Sequence, residues 1–158
     1  MAVEEQTLYN TTQPVAPDYR RVGQRLTISN RLVSKLGFWF HRQSYPTGIL
    51  VFEIYRKSNE ELLASKLWGN AVDVPSGLPP TYLEVTFDEP VFIDDEVYIC
   101  AYSTGTSDSD FPIMHRQYPS VKPDEGYVQK NGTWEEDDFW DTAYRYTYIV
   151  PPLAIDTT

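Results

Sequence analysis

Acidic residues are the first groups whose chemistry must be weighed. Glu135-Glu136-Asp137-Asp138 runs straight into Phe139 and Trp140 behind the pair Asn131-Gly132, and Asp94-Asp95-Glu96 forms a second cluster. A glycosidase needs two carboxyl groups about 5–9 Å apart across a cleft. Acids in polar loops keep ordinary pKa values and make poor general acids, so neither run reads as a catalytic pair. Calcium is less demanding, since it takes several oxygens from flexible loops. The stretch TSDSD offers Asp108 and Asp110, and EEDD offers further carboxylates. Neither follows the D-x-D-x-D-G spacing of a dedicated calcium loop. Asp108 and Asp110 stand as the calcium candidates, and no other cofactor is expected. Nucleophilic catalysis finds no G-x-S-x-G elbow. His41 sits beside Arg42 and His115 beside Arg116, with no sequence neighbour to orient either, so both read as surface histidines. Cys100, in the apolar run EVYICAYS, reads as a small buried hydrophobe rather than a nucleophile. No zinc spacing exists. The expectation is a protein that is not an enzyme.

Binding chemistry has better candidates. Sugars are held by aromatic faces and a few planar polar groups. Trp39 and His41 alternate with the core-like Phe38 and Phe40, Tyr45 sits at a turn, and Arg116 and Tyr118 belong to a strand expected to border the late hairpin. With Trp140 they form the candidate ligand-binding set. The competing reading for Trp39, that it caps the core, stays open, and Trp134 reads as core. EEDDFWD is expected to be the loop between the hairpin and the last strand, its acids keeping the rim soluble.

The surface around these residues is acidic. Thirteen basic and 23 acidic residues give a net charge of −10 over 158 residues. Such a surface repels phosphate backbones and anionic lipid, so neither nucleic acid nor membrane is an expected partner. The single cysteine rules out an internal disulfide. The first ten residues, MAVEEQTLYN, carry neither the basic nor the apolar region of a secretory signal. No stretch approaches the ~18 apolar residues of a membrane span. Synthesis in the cytosol is expected, and the sequons at Asn10 and Asn131 read as coincidence.

The elements that position the candidates alternate with period two. Leu26 and Ile28 share a face in GQRLTIS, Leu36, Phe38 and Phe40 in RLVSKLGFWFHR, Leu50, Phe52 and Ile54 in TGILVFEIYR, Leu83, Val85 and Phe87 in TYLEVTFDEPVFI, and Tyr144, Tyr146 and Tyr148 in the last run. SNEELLASKLW fits a single helical turn or a strand. GYVQKNGTW reads as a hairpin around a type I′ turn at Asn131-Gly132. About eight or nine short strands, with turn signals about every 8–12 residues, imply an all-β sandwich or barrel. Residues 1–20, polar and carrying Pro14 and Pro17, read as an extended N-terminal arm; 21–150 form the sandwich and 151–158 a C-terminal tail.

The order of these elements resembles a widespread group of jelly-roll modules. The resemblance rests on Gly23-Gln24-Arg25-Leu26, the run Pro46 to Tyr55, Phe87-Asp88-Glu89-Pro90-Val91, Glu96 to Cys100, the hairpin Tyr127 to Trp134 and Ala143-Tyr144-Arg145-Tyr146. It covers roughly residues 20–150. Modules of this kind are similar in fold to carbohydrate-binding domains, and they occur in secreted bacterial proteins and as stand-alone structural proteins of phages and other viruses. The resemblance implies an all-β, two-sheet antiparallel β-sandwich with jelly-roll topology, and a non-catalytic structural protein of a virus particle, decorating or adhering from a capsid or tail. The alternative is a carbohydrate-binding module acting through exposed aromatics. Location in the virion is expected under the first reading and outside the cell under the second. Partners would be other virion proteins, copies of the same chain, or a surface glycan. Leu8, Tyr9, Val15 and Tyr19 cannot build a core alone and are the expected assembly contacts of the arm. Deleting residues 1–20 is expected to abolish assembly and leave the sandwich folded.

Overall fold

The structure, a computed structural model, describes residues 1–152; residues 153–158, most of the expected tail, lie outside the described residues. Eleven strands follow one another: β1 Ala2–Gln6, β2 Thr11–Pro14, β3 Arg21–Gln43, β4 Ile49–Arg56, β5 Leu62–Asn70, β6 Thr81–Ser103, β7 Phe111–Gln117, β8 Gly126–Asn131, β9 Thr133–Asp137, β10 Asp141–Thr142 and β11 Tyr144–Ile149. The fold is all-β and antiparallel. Hydrogen bonding joins every strand into one continuous sheet, which doubles over a shared core as a sandwich does.

Two strands of 23 residues make this possible. The first half of β3 lies between β8 and the second half of β6, with β4, β5 and β9 beyond them. The second half of β3 lies between β11 and the first half of β6, and at its end it meets β7. Register shifts between Ile28 and Arg31, and again between Val33 and Lys35, bend β3 and change which side chains face inward. Ser29-Asn30 resembles a break in the sequence. The structure makes it a bulge instead, with Asn30 at φ 52° and its amide donating to Asp94 Oδ1.

The periodic residues meet in the core. Leu26, Ile28, Leu36, Phe38, Phe40, Leu50, Phe52 and Ile54 are buried together with Leu83, Val85, Phe87, Tyr144 and Tyr146. Phe52 takes the edge of Phe38 at 5.1 Å and stacks on Phe40 at 5.8 Å. Burying each such side chain stabilises the fold by about 1.5–3 kcal/mol. The segment SNEELLASKLW supplies β5 and not a helical turn. In the hairpin, Gly132 takes φ 91° while Asn131 keeps a negative φ, so the turn is not type I′.

A polar plug interrupts the core. Gln24 points inward, donates to Asp141 Oδ1 at 2.7 Å and accepts from the Thr142 amide at 2.9 Å. The other carboxylate oxygen of Asp141 accepts from Ser120 Oγ and the amides of Val121 and Lys122. This ties the 120–122 loop and β10 to β3. Asp141→Ala leaves the fully buried Gln24 amide and the partly buried loop donors without an acceptor, and a loss of about 2–4 kcal/mol is expected. A chemical denaturation midpoint within error of the parent would contradict it.

The arm is woven into the sheet. β1 pairs with β11 from Ala2↔Tyr148 to Gln6↔Tyr144, and β2 pairs with β7 from Thr11↔Arg116 to Pro14↔Ile113. Val15 is fully buried in the core. Tyr9 presents its ring to His115, Tyr19 stacks on Tyr102, and Leu8 remains exposed.

Candidate functional site

Arg116 is at the centre of the most distinctive cluster. On β7 it follows Met114 on the inward-facing side, at the rim where the core ends. Its guanidinium carbon lies 4.0 Å from the ring centre of Trp140 and 4.7 Å from that of Tyr127. Tyr127 is buried on β8, and its amide donates to the Trp140 carbonyl at 2.9 Å, fixing the bend that carries the indole. Trp140 also meets Tyr118 in a tilted contact, with ring centres 4.8 Å apart. Tyr118 is 49% exposed. The arm holds it in place: Asn10 Nδ2 donates to the Tyr118 carbonyl, and Asn10 Oδ1 accepts from its amide.

A guanidinium held between two rings is attracted to both π faces and keeps its in-plane N–H edge free. Among the described residues no hydrogen bond or ion pair engages the Arg116 side chain, and its Nε is buried without a partner. Burial lowers the Arg116 pKa, while Tyr127 and Asp137 oppose that shift and Arg20 adds to it. Burial also pushes the Tyr127 hydroxyl up to about 12. Beside them opens a pocket of about 230 Å³, lined by Arg116, Tyr127, Gln129, Glu135, Glu136, Asp137 and Trp140. Gln129 is oriented by Arg20, Tyr127 and Glu135. The pocket lies below the ~300 Å³ lower end of drug-sized clefts, which suits one ring better than an extended chain.

The acidic run is not the loop the sequence implies. Glu135, Glu136 and Asp137 belong to β9 and face β8. Glu136 pairs with Arg25 and Lys57 and accepts from Tyr98, while Asp138 also pairs with Arg25. These carboxylates clamp β9 to the sheet instead of merely solubilising a rim. Trp134, expected in the core, packs on the outer face against Tyr98 at 4.4 Å and Tyr55 at 5.5 Å.

Arg116, Tyr118 and Trp140 therefore come together, and the other three binding candidates lie elsewhere. Trp39 is half-buried on the outer face of β3, against Tyr82 at 4.6 Å, with the Arg145 guanidinium over both rings. It does not cap the core. His41 joins His115, whose Nε2 lies 2.8 Å from His41 Nδ1, so neither is the unoriented surface histidine expected. Tyr45 is exposed, with Arg42 over its ring. Sequence reasoning missed Tyr127 and Gln129. Their alternation along GYVQK puts them on one face, which is the signal that points to them.

The calcium candidates are placed as follows. Asp110 accepts from Ser107 Oγ at 2.6 Å and from the Tyr45 amide at 3.0 Å, bonds that hold its carboxyl at about 2. Asp108 is exposed. Among the described residues no three His, Cys, Asp or Glu side chains converge as a metal site. Cys100 is fully buried, and burial pushes its thiol well up. No protein-family model matches the chain, and no curated protein is similar to it in sequence.

Proposed function

We propose that this chain is a non-catalytic structural protein of a virus particle, built as a jelly-roll module, that uses the rim pocket to hold a surface glycan. The observation that carries the binding part is the Arg116 guanidinium, stacked between Trp140 and Tyr127, in no hydrogen bond or ion pair among the described residues, and opening on a pocket of acceptors. A hydroxyl group both donates and accepts. The in-plane N–H groups of Arg116 suit the oxygens of a vicinal diol, and Glu135 and Asp137 suit its hydrogens. Three carboxylates lining the pocket disfavour an anionic ligand, as does the net charge of −10. Tyr118 supplies an open aromatic face beside the pocket.

The non-catalytic part is supported by how the buried carboxylates are used. Glu53 is bound by Arg21 and Tyr55, Glu125 by Tyr144 and Gln24, and Asp141 by Gln24, Ser120 and two amides. Groups so saturated are structural. The virion setting is supported by the resemblance of residues 20–150 and by an acidic surface unsuited to nucleic acid.

A glycan array with the parent protein tests the reading, followed by titration of any hit. Trp140→Ala and Arg116→Ala are each expected to weaken binding at least about tenfold, or ~1.4 kcal/mol. Arg116→Lys is expected to fall with them, because a point charge lacks the planar edge. Full affinity in Trp140→Ala, or no hit on a broad array, would count against the pocket.

A further inference from the structure

We propose that His41 and His115 form an acid-sensitive clasp that holds the N-terminal arm to the sheet and releases it when both imidazoles are protonated. The facing nitrogens are 2.8 Å apart. That contact is a hydrogen bond only while one nitrogen carries a proton and the other offers its lone pair. His115 is 5% exposed and lies on β7, the strand with which the arm pairs, opposite Thr12. The Tyr9 ring meets it edge-on at 5.3 Å. Tyr9 to Thr12 and Leu78, Pro79 and Pro80 enclose a hollow of about 310 Å³ above it.

The charges around the pair are few. The arm contributes Tyr9 and the neutral Asn10, Thr11 and Thr12, and the loop at 78–80 contributes none. On β3 the neighbouring Arg42 turns to the Ser44 carbonyl and Tyr45, and on β7 the neighbouring Arg116 lies between Tyr127 and Trp140. Among the described residues no carboxylate pairs with either histidine. A second proton thus removes the N–H···N bond and sets two like charges side by side without a counter-ion. Burial brings His115 down to about 4, with His41 adding to the shift, and burial lowers His41 as well. An unfolded or detached histidine titrates near ~6.5. The clasp is therefore intact above that value, and its contribution is lost as pH falls from there towards about 4.

Hydrogen exchange on the full chain, corrected for intrinsic rates, tests this at about pH 7 and about pH 4.5. In the parent, protection of the amides of residues 10–13 and 15, the stretch of the arm that lies along β7, is expected to fall about tenfold or more while amides 97–101 of β6 hold. In His115→Phe, which keeps a ring under Tyr9 but cannot take a proton, arm protection is expected to change by less than about twofold. NMR titration of the parent imidazoles gives a readout free of mutation, with both midpoints expected below ~6.5. The clasp is overturned by an arm insensitive to pH, by the same fall in His115→Phe, by β6 losing protection in step, or by ordinary imidazole midpoints.

Discussion

Removing residues 1–20 is expected to bring the domain close to unfolding, not to trim a free arm. Three losses coincide. Val15 leaves the core, where it is fully buried, at about 1.5–3 kcal/mol. β1 and β2 leave β11 and β7 with open edges. Gln6, buried and bonded to the Leu8 backbone and the Thr142 carbonyl, goes with them. Against a total stability of about 5–15 kcal/mol such a loss is large. At roughly 2–4 °C per kcal/mol, the melting temperature should drop by at least about 10 °C. A truncated protein melting within about 5 °C of the parent would restore the reading of an independent arm. The opposite expectation, of a sandwich that survives truncation, arises from the sequence because Val15 belongs to no periodic run and nothing local marks it as core.

The second large effect is expected at Gly23. A β-carbon there would sit 1.8 Å from the Ile99 carbonyl oxygen and 2.7 Å from the Cys100 α-carbon, both of them backbone. β3 cannot move aside, because Gly23 is paired with Cys100 on one flank and Val128 on the other. The next residue, Gln24, carries the polar plug to Asp141. Gly23→Ala is expected to cost more than about 4 kcal/mol, in the range reserved for backbone strain and broken buried networks. Gly69→Ala, with nothing within 4 Å of the added carbon, serves as the control. If both variants melt alike, the close approach at Gly23 is not a real constraint.

These sites show what the sequence makes legible. Alternation identified the inward faces of β3, β4, β6 and β11, because burial on one side of a pleated strand imposes period two. The Gly-Gln motif marked its location but not its reason, which is a close backbone approach followed by an inward amide. Joining the early strands into one was not legible, since a bulge at Ser29-Asn30 uses the same residue types as a turn. Half of the binding set converged because Tyr118 directly follows the last residue of β7, the strand that carries Arg116, and the hairpin bend returns Trp140 to it. The pairing of His41 with His115 escaped because 74 positions separate them. Only the meeting of β3 and β7 brings them together.

The pairing of Ala2 with Tyr148 has a mechanical consequence. The outer ends of β1 and β11 lie side by side, so a pull applied across them loads the first pair of the ladder before the second. Antiparallel neighbours drawn apart from the same end open like a zipper, each bond carrying the force in turn. Resistance at this corner should be low and nearly constant as β1 peels from Ala2 to Gln6. A chain under tension would strain this seam before the interior, and single-molecule stretching from the two ends should record a first, weak event of about five residues' slack, roughly 3.3–3.6 Å for each residue released.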